Sequence, residues 1–143
     1  MKYYLAGPMT NRPQFNYPLF DSVADALRDE GYDITSPAEM DDPETRKAAM
    51  ASPDGAVGSG VVNGETWGDF LARDVKMLAD HLDAIILLPE WETSKGARLE
   101  AFVAINCDYP CFLYQGSGQI EEVEAISIMN EIRRGVQEAY NGK

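Results

Sequence analysis

Two acidic residues, Glu100 and Asp74, occur where the surrounding sequence has the pattern of an apolar helix face. On a helix, the residues three and four positions from Glu100 are small or apolar: Gly96, Ala97, Val103 and Ala104. Those around Asp74 are also apolar: Phe70, Leu71, Met77 and Leu78. Burying a carboxylate is unfavourable, so its presence on such a face indicates that a ligand or a reaction requires it.

Each carboxylate also has a purely structural explanation. Glu100 at the edge of its helix would pair with Arg98 or with a more distant base, and Asp74 would turn far enough to reach solvent. An ion pair between Asp74 and Lys76 is disfavoured, because helical residues so close in sequence point away from one another. The residues alone leave both explanations open.

The stretch of residues 83–100 predicts a strand, a tight loop and the start of a helix. Residues 84–88 are a short apolar run typical of a buried parallel strand, which Pro89 ends. The helix begins near Ser94 or Lys95, where unpaired backbone N–H groups and the helix dipole favour a bound anion. We therefore expect an anion-binding site at this loop.

The N-terminal third predicts two strands separated by a helix. Residues 2–6 form the first strand and residues 32–35 the second. A helix is expected over residues 17–30, with Asn16 as its N-cap. Its apolar stripe has helical spacing and consists of Phe20, Val23, Ala24 and Leu27.

Residues 41–66 form the least regular part of the sequence. A short helix is expected over residues 44–50, and the Gly- and Ser-rich residues 52–64 predict a flexible excursion. Residues 58–64 resemble a dinucleotide-binding fingerprint, but the glycine spacing is off by one and no strand precedes it. A flexible loop is therefore favoured over a phosphate cradle.

The C-terminal half predicts three helices and one more strand. Residues 67–82 form a helix whose buried stripe should contain Trp67, Leu71, Val75, Leu78 and Leu82. The helix that starts near Ser94 continues to about Cys107, and residues 111–114 form a strand followed by a turn at 116–118. The last helix is expected over residues 120–140, with a long apolar stripe: Ala125, Ile128, Met129, Ile132, Val136, Ala139 and Tyr140.

Strands that alternate with helices predict an α/β fold with a mainly parallel sheet. We expect one domain over residues 1–143, a flavodoxin- or Rossmann-like three-layer fold with four to five strands. In the flavodoxin-like strand order the first and third strands are neighbours, and ligands bind where the order reverses. The loops of residues 7–11 and 89–94 would meet there.

The composition limits the partners. The chain has 143 residues and a net charge of −12, which disfavours a nucleic-acid polymer as ligand but not a single nucleotide. No apolar run approaches the ~20 residues of a membrane span, and the first strand begins too early for a signal peptide, so a cytoplasmic protein is expected. Cys107 and Cys111 predict free thiols, and no residue set has the spacing of metal ligands. We expect no metal and no cofactor.

Two motifs resemble those of the nucleoside 2-deoxyribosyltransferase superfamily, including its 2′-deoxynucleoside 5′-monophosphate N-glycosidase branch. One is Tyr4-Leu-Ala-Gly-Pro-Met9, and the other is Asp83 followed by the apolar strand and Ser94-x-Gly96-x-x-x-Glu100. The residue types of the second motif are similar to those of a bacterial and phage subgroup of this superfamily. The resemblance extends loosely from Lys2 to about Pro110.

The resemblance implies roles for four residues. Glu100 matches the nucleophile, Asp74 the acid that serves the base or the sugar, Tyr4 the tyrosine that orients the carboxylate, and Ser94 the serine that binds a phosphate. Such enzymes break an N-glycosidic bond through an oxocarbenium-like sugar. Two features depart from the pattern of this superfamily. The interval from Asp74 to Asp83 is one residue longer than usual, and the segment of residues 41–66 is longer than the same segment in the minimal members.

The resulting expectation is an enzyme that cleaves the base from a 2′-deoxynucleoside 5′-monophosphate. The alternatives are a deoxyribosyltransferase that exchanges bases on free deoxynucleosides and a non-catalytic nucleotide-sensing module. Trp91 or Phe15 would stack on the base, unless these rings pack in the core. A homodimer or higher homo-oligomer is expected. The expected substrate- and phosphate-binding residues are Gly7, Pro8, Met9, Thr10, Asn11, Trp91, Ser94, Lys95, Gly96 and Arg98.

Overall fold

A computed structural model describes residues 1–56 and 64–143 of the protein. Over these residues one sheet has the strand order β2-β1-β3-β4-β5. Its strands are β1 (Lys2–Ala6), β2 (Asp33–Thr35), β3 (Ala84–Leu87), β4 (Cys111–Gly116) and β5 (Gln119–Val123). All neighbouring pairs are parallel except β4 and β5, which are antiparallel. The predicted α/β fold with a mainly parallel sheet is confirmed.

Helices cover both faces of the sheet. They are α1 (Tyr17–Asp29), α2 (Pro37–Met40), α3 (Pro43–Met50), α4 (Trp67–His81), α5 (Lys95–Asn106) and α6 (Ala125–Asn141). Two short 3₁₀ turns precede α1 and α5, at Pro13–Asn16 and Trp91–Thr93. None of the helices in the described ranges is long and apolar enough to cross a membrane.

The alternation of side chains along the strands divides the core into two layers. On one face, Leu5 packs with the predicted α1 stripe and with Ile86. On the other face, Tyr4 and Ala6 pack with residues of α4, α5 and α6. This parity directs the Tyr4 side chain to the layer that contains α5.

The last helix starts later than predicted. Residues 119–123 pair with β4 as β5, and α6 begins at Ala125 rather than at residue 120. Ser117 and Gly118 have φ values of 51° and 73°, the backbone of a two-residue hairpin turn. The turn returns the chain along the edge of the sheet before a helix can start.

Two finer predictions hold only in part. Asn16 is the N-cap residue of α1, as predicted, but its side chain does not cap the helix; its Nδ2 donates to the carbonyl of Pro8 at 2.8 Å instead. Of the predicted stripe of α4, Leu78 and Leu82 are buried and Trp67 is not. Trp67 is 37% exposed and lies outside the core, because it is the first residue of α4, about two turns before the buried Asp74.

The region between β2 and α4 contains the expected short helix, α3, whose N-cap Asp42 accepts from the N–H of Thr45 at 2.8 Å. The glycine-rich residues 58–64 lie outside the described residues except for Gly64. Their assignment as a flexible loop stays a prediction.

Candidate active site

A cavity of about 400 Å³ lies beyond the carboxyl ends of β1 and β3. The loop after β1 and the N-terminus of α5 form one side of it, and α4 with the α2–α3 region forms the other. Strand order reverses at this point, since β1 and β3 are neighbours and β2 lies on the other side of β1. The cavity therefore occupies the crevice where α/β folds bind ligands.

Glu100 lines this cavity from the second turn of α5 and is only 7% exposed. Its Oε2 atom accepts a hydrogen bond from the hydroxyl of Tyr4 at 2.6 Å. Tyr4 is fully buried and stands behind Glu100 rather than in the cavity wall. Arg98, the alternative partner of Glu100, donates to the carbonyl of Glu92 at 2.9 Å. The edge-of-helix explanation for Glu100 is wrong.

The surroundings of Glu100 favour its protonated form. Burial raises the pKa of its carboxyl group to about 8, and the negative charge of Asp74 acts in the same direction. The hydrogen bond from Tyr4 and the charge of Arg73 oppose this rise in pKa without cancelling it.

Asp74 lines the same cavity from α4 and is 9% exposed. Its Oδ1 atom lies 2.8 Å from Nη2 of Arg73. Burial raises the pKa of Asp74, and the adjacent Arg73 guanidinium lowers it. Lys76 pairs with Asp80 at 2.6 Å. The solvent-facing explanation for Asp74 is therefore wrong, and the expectation that Lys76 is not its partner is confirmed.

Glu100 and Asp74 form a coupled pair of carboxyl groups in a buried site. The charge of Asp74 raises the pKa of Glu100, because like charges in such a site disfavour simultaneous ionisation. Protons leave such a pair in two steps that belong to the pair as a unit. Over the range of pH in which only one of the two groups is ionised, the pair provides one carboxylate and one carboxylic acid. A reaction that uses a nucleophile together with an acid requires these two forms.

The N-terminus of α5 lines the cavity with Ser94, Lys95 and Gly96. Ser94 is the N-cap, and its Oγ accepts from the N–H of Ala97 at 3.2 Å. The Lys95 ammonium lies 4.3 Å from the centre of the Trp67 ring. A Cβ atom on Gly96 would make ordinary van der Waals contacts with Ser94 Oγ at 3.9 Å and with Trp67 at 4.0 Å, so it would not clash.

The loop after β1 contributes Gly7, Met9, Thr10 and Asn11 to the wall. Packing favours glycine at position 7, because a Cβ atom on Gly7 would lie only 2.9 Å from Cβ of Leu88. The backbone N–H of Asn11 is already bound to the carbonyl of Gly55 at 2.7 Å. The loop is therefore held in place in part by Gly55, which follows α3.

Two of the predicted substrate-binding residues do not reach the cavity. Pro8 is absent from its wall, and the Pro8 carbonyl serves Asn16. Trp91 is 5% exposed and packs in the core with Ile128 of α6. Its assignment as a ligand-stacking ring is wrong, because the 3₁₀ turn directs the indole beneath α6. Phe15 does line the cavity, as does Trp67.

Sequence reasoning missed a polar network on the opposite wall. Nη1 of Arg73 lies 2.5 Å from Oδ1 of Asp41, and Tyr17 donates its hydroxyl hydrogen to the same carboxylate. All three residues line the cavity. Arg73 was recognisable as the neighbour of Asp74, whereas no local pattern connects Asp41 with a residue 32 positions away.

No group of three or more His, Cys, Asp or Glu side chains in residues 1–56 and 64–143 has the arrangement of a metal site. Cys107 and Cys111 are free, and burial raises the pKa of the Cys111 thiol to about 11. The polar side chains that line the cavity include carboxyl, hydroxyl, guanidinium and ammonium groups.

Comparison with known proteins places this arrangement in a family. No curated protein matches the chain. The profile of the family described as a domain of unknown function, DUF4406, matches residues 1–112. This range includes the Tyr4–Glu100 pair, Asp41, Arg73 and Asp74, and it includes every residue of the cavity wall except Ala139. The chain belongs to the DUF4406 family.

Proposed function

We propose that this protein hydrolyses the N-glycosidic bond of a 2′-deoxynucleoside 5′-monophosphate. The observation that carries the proposal is the buried Glu100 carboxyl group, which binds Tyr4 at 2.6 Å and lines the same cavity as the N-terminus of α5. If C1′ of the sugar lies beside Glu100, the 5′ substituent of the same sugar can extend toward the N-terminus of α5. The resemblance of the two motifs to deoxyribosyltransferases supports the same reaction class.

The proposed reaction has two steps. A Glu100 oxygen forms a bond to C1′ while the bond from C1′ to the base nitrogen breaks, and the departing base takes the electron pair and a proton from Asp74. Water then attacks C1′, Glu100 leaves, and Asp74 takes the proton from the water. The products are the free base and 2-deoxyribose 5-phosphate.

The reactive form of the pair carries the charge on Glu100 and the proton on Asp74. In the substrate-free protein the proton of the pair lies on Glu100, because burial and the charge of Asp74 raise its pKa to about 8. The proposed reaction therefore requires this proton to move to Asp74 when the substrate binds. Tyr4 stabilises the carboxylate form of Glu100, because its hydroxyl donates to that carboxyl group.

Incubation of the purified protein with a panel of deoxynucleotides and deoxynucleosides tests the reaction class. Each substrate is supplied with and without a second free base, and released base and deoxyribose phosphate are quantified. Release without a second base supports hydrolysis. Product formation only when a second base is present would replace the proposal with deoxyribosyl transfer, and no turnover of any substrate would favour a nucleotide-sensing module.

We expect a preference for nucleotides over nucleosides of about 10²-fold or more. A 5′-phosphate at the N-terminus of α5 would gain the helix dipole, backbone N–H groups and the Lys95 charge. Two charge-assisted hydrogen bonds at roughly 1.5–3 kcal/mol each account for this preference. The overall charge of −12 opposes the phosphate at long range, but salt screens that repulsion beyond ~8–10 Å.

The variants Ser94→Ala and Lys95→Ala should raise KM for the nucleotide and leave any weak nucleoside activity unchanged. Ser94→Thr is the matched control, because it retains the hydroxyl that caps α5. Lys76→Ala, on an exposed part of α4, controls for the loss of one positive charge. Equal activity on nucleosides and nucleotides, unchanged in both alanine variants, would contradict the phosphate site.

The proposal includes a two-fold homodimer. Helix α6 exposes Val136 by 39% and Tyr140 by 66%, and α5 exposes Leu99 by 42% and Phe102 by 43%. These side chains supply apolar surface that a second copy would cover. Because Ala139 of α6 lines the cavity, a partner on this helix would lie beside the site.

Light scattering at micromolar concentration is expected to give the mass of a dimer. Phe102→Glu should shift the protein to a monomer, whereas Gln119→Glu, on the exposed edge strand β5, should not. A monomeric wild type at that concentration would contradict the dimer.

A further inference from the structure

The Arg73 guanidinium bridges two carboxylates with buried side chains, one on α4 and one between α2 and α3, on the same side of the cavity. Its Nε donates to Oδ1 of Asp74 at 2.9 Å, and its Nη1 donates to Oδ1 of Asp41 at 2.5 Å. The Asp41 side chain is only 5% exposed, and that of Arg73 is 29% exposed. One positive charge is thus shared between two acidic groups that have little access to water.

Further contacts hold the bridge in place from other elements. Tyr17 of α1 donates to Asp41, and Nη2 of Arg73 lies 3.4 Å from the carbonyl of Pro37 in α2. The guanidinium carbon of Arg73 also stands 5.5 Å from the centre of the Phe70 ring. The bridge therefore joins α4 to α1 and to the α2–α3 junction at one side of the cavity.

The titratable groups near Asp74 come from three other places in the fold. Tyr4 lies on β1, Glu100 on α5, and Asp41 follows α2, while Arg73 is the sequence neighbour of Asp74. Arg73 is the cation that acts on both Asp74 and Glu100. A second carboxylate bound to the same guanidinium weakens its effect on Asp74, because one charge serves two partners.

Asp41 has its own charged surroundings. Arg73 contacts it directly, and Arg46 of α3 and the adjacent Asp42 act on it from a distance, with opposite signs. Arg46 is itself paired with Asp21 of α1 at 2.7 Å. The direct partner of Asp41 among these charges is therefore Arg73, which makes the link from Asp41 to Asp74 a specific one.

We propose that Asp41 and Arg73 are a positioning pair that sets how the Asp74–Glu100 pair shares its proton. The inference rests on the proposed function, in which Asp74 must be able to hold a proton for the departing base. Arg73 alone would keep Asp74 ionised. Asp41 takes up part of the Arg73 charge and so keeps Asp74 basic enough to hold that proton. Neither Asp41 nor Arg73 transfers a proton itself.

Substitutions of Asp41 and of Arg73 are expected to displace the pH dependence of kcat/KM in opposite directions. In Asp41→Asn a negative charge near the pair is lost and Arg73 serves Asp74 alone, so both apparent pKa values of the pair fall. In Arg73→Gln the positive charge is lost, so both apparent pKa values rise. An ion pair shifts a carboxyl pKa by roughly 1–3 units. We therefore expect kcat/KM–pH profiles displaced by about one pH unit or more, downward in Asp41→Asn and upward in Arg73→Gln.

A carboxyl-carbon NMR titration of Asp74 and Glu100 in the substrate-free protein provides a readout that does not depend on activity. The midpoints should move in the same two directions as the activity profiles. Asp42→Asn is the matched control: it removes one negative charge beside Asp41 but leaves Arg73 bound, and asparagine retains the cap of α3. It should shift the midpoints much less than Asp41→Asn does.

Either variant is sufficient for the test if the other fails to fold. Unchanged midpoints in a folded Asp41→Asn or Arg73→Gln protein would overturn the inference, and so would shifts of both variants in the same direction. Opposite shifts in a protein whose wild type hydrolyses no nucleotide would support the charge-sharing arrangement and overturn the proposed function. A merely structural role for Asp41 would reduce kcat/KM without displacing its pH profile.

Discussion

Replacing Glu100 by glutamine is expected to lower the rate of base release by about 10⁴-fold or more, the scale seen when a covalent nucleophile is removed. Glutamine has the same shape and still accepts the hydrogen bond of Tyr4, but its amide oxygen is too weak a nucleophile to bond to C1′. The measurement is the single-turnover rate with saturating deoxynucleotide, which separates chemistry from binding.

The folding stability of Glu100→Gln is the control for this result. The pKa of Glu100 rises from 4.5 to about 8 on folding, so the native protein retains a proton that the unfolded chain releases between these values. The stability from this group is therefore complete below pH 4.5 and is lost as the pH rises through about 8, at up to about 1.4 kcal/mol per pH unit. A glutamine at this position cannot ionise, so the variant should lose less stability than the wild type as the pH rises.

Full activity in a folded Glu100→Gln protein would contradict the covalent mechanism. Glu92 offers a matched comparison, because it is a glutamate of the same loop and helix region whose side chain lies outside the cavity wall. Glu92→Gln should leave base release unchanged, which would show that the loss in Glu100→Gln comes from position and not from reduced net charge.

Replacing Asp74 by asparagine is expected to lower kcat for base release by about 10²–10⁴-fold, the usual contribution of a positioned acid. Asparagine fits the same space beside Arg73 and Tyr4 but cannot give a proton to the departing base. The measurement compares substrates with good and poor leaving bases, because a base that leaves without protonation needs Asp74 less.

The leaving-group comparison distinguishes an acid from a structural residue. A loss in Asp74→Asn that is equal for all bases would mean that Asp74 only supports the fold of the site. A loss below about tenfold would mean that another group supplies the proton, because a positioned acid contributes more than that. Asp80→Asn, further along α4 and paired with Lys76 on the surface, is the control and should retain activity.

Local sequence patterns were sufficient for the layers of the fold and for one half of the site. Period-two alternation in β1 determines that Tyr4 and Leu5 face opposite layers. Helical spacing determines that Glu100 lies among Gly96, Ala97 and Ala104 on the inner face of α5. These features depend only on neighbouring residues, so the contact of Tyr4 with Glu100 follows once β1 and α5 share a layer.

Only the tertiary structure decided which distant groups share the cavity. Asp41 and Arg73 are 32 residues apart and meet because the α2–α3 junction packs against α4, a contact that no periodicity encodes. Trp91 became a core residue because its 3₁₀ turn is covered by α6. β5 formed because the Ser117–Gly118 turn returned the chain onto β4.

The physical reason is the range of the interactions involved. Backbone propensity, side-chain period and helix capping act over a few residues and can be read along the chain. The pKa values of Glu100 and Asp74 instead depend on burial and on charges from β1, α4, α5 and the residue after α2. The sequence determined that two carboxyl groups lie on inner helix faces, and the packed structure determined that they share one cavity with Arg73 and Asp41.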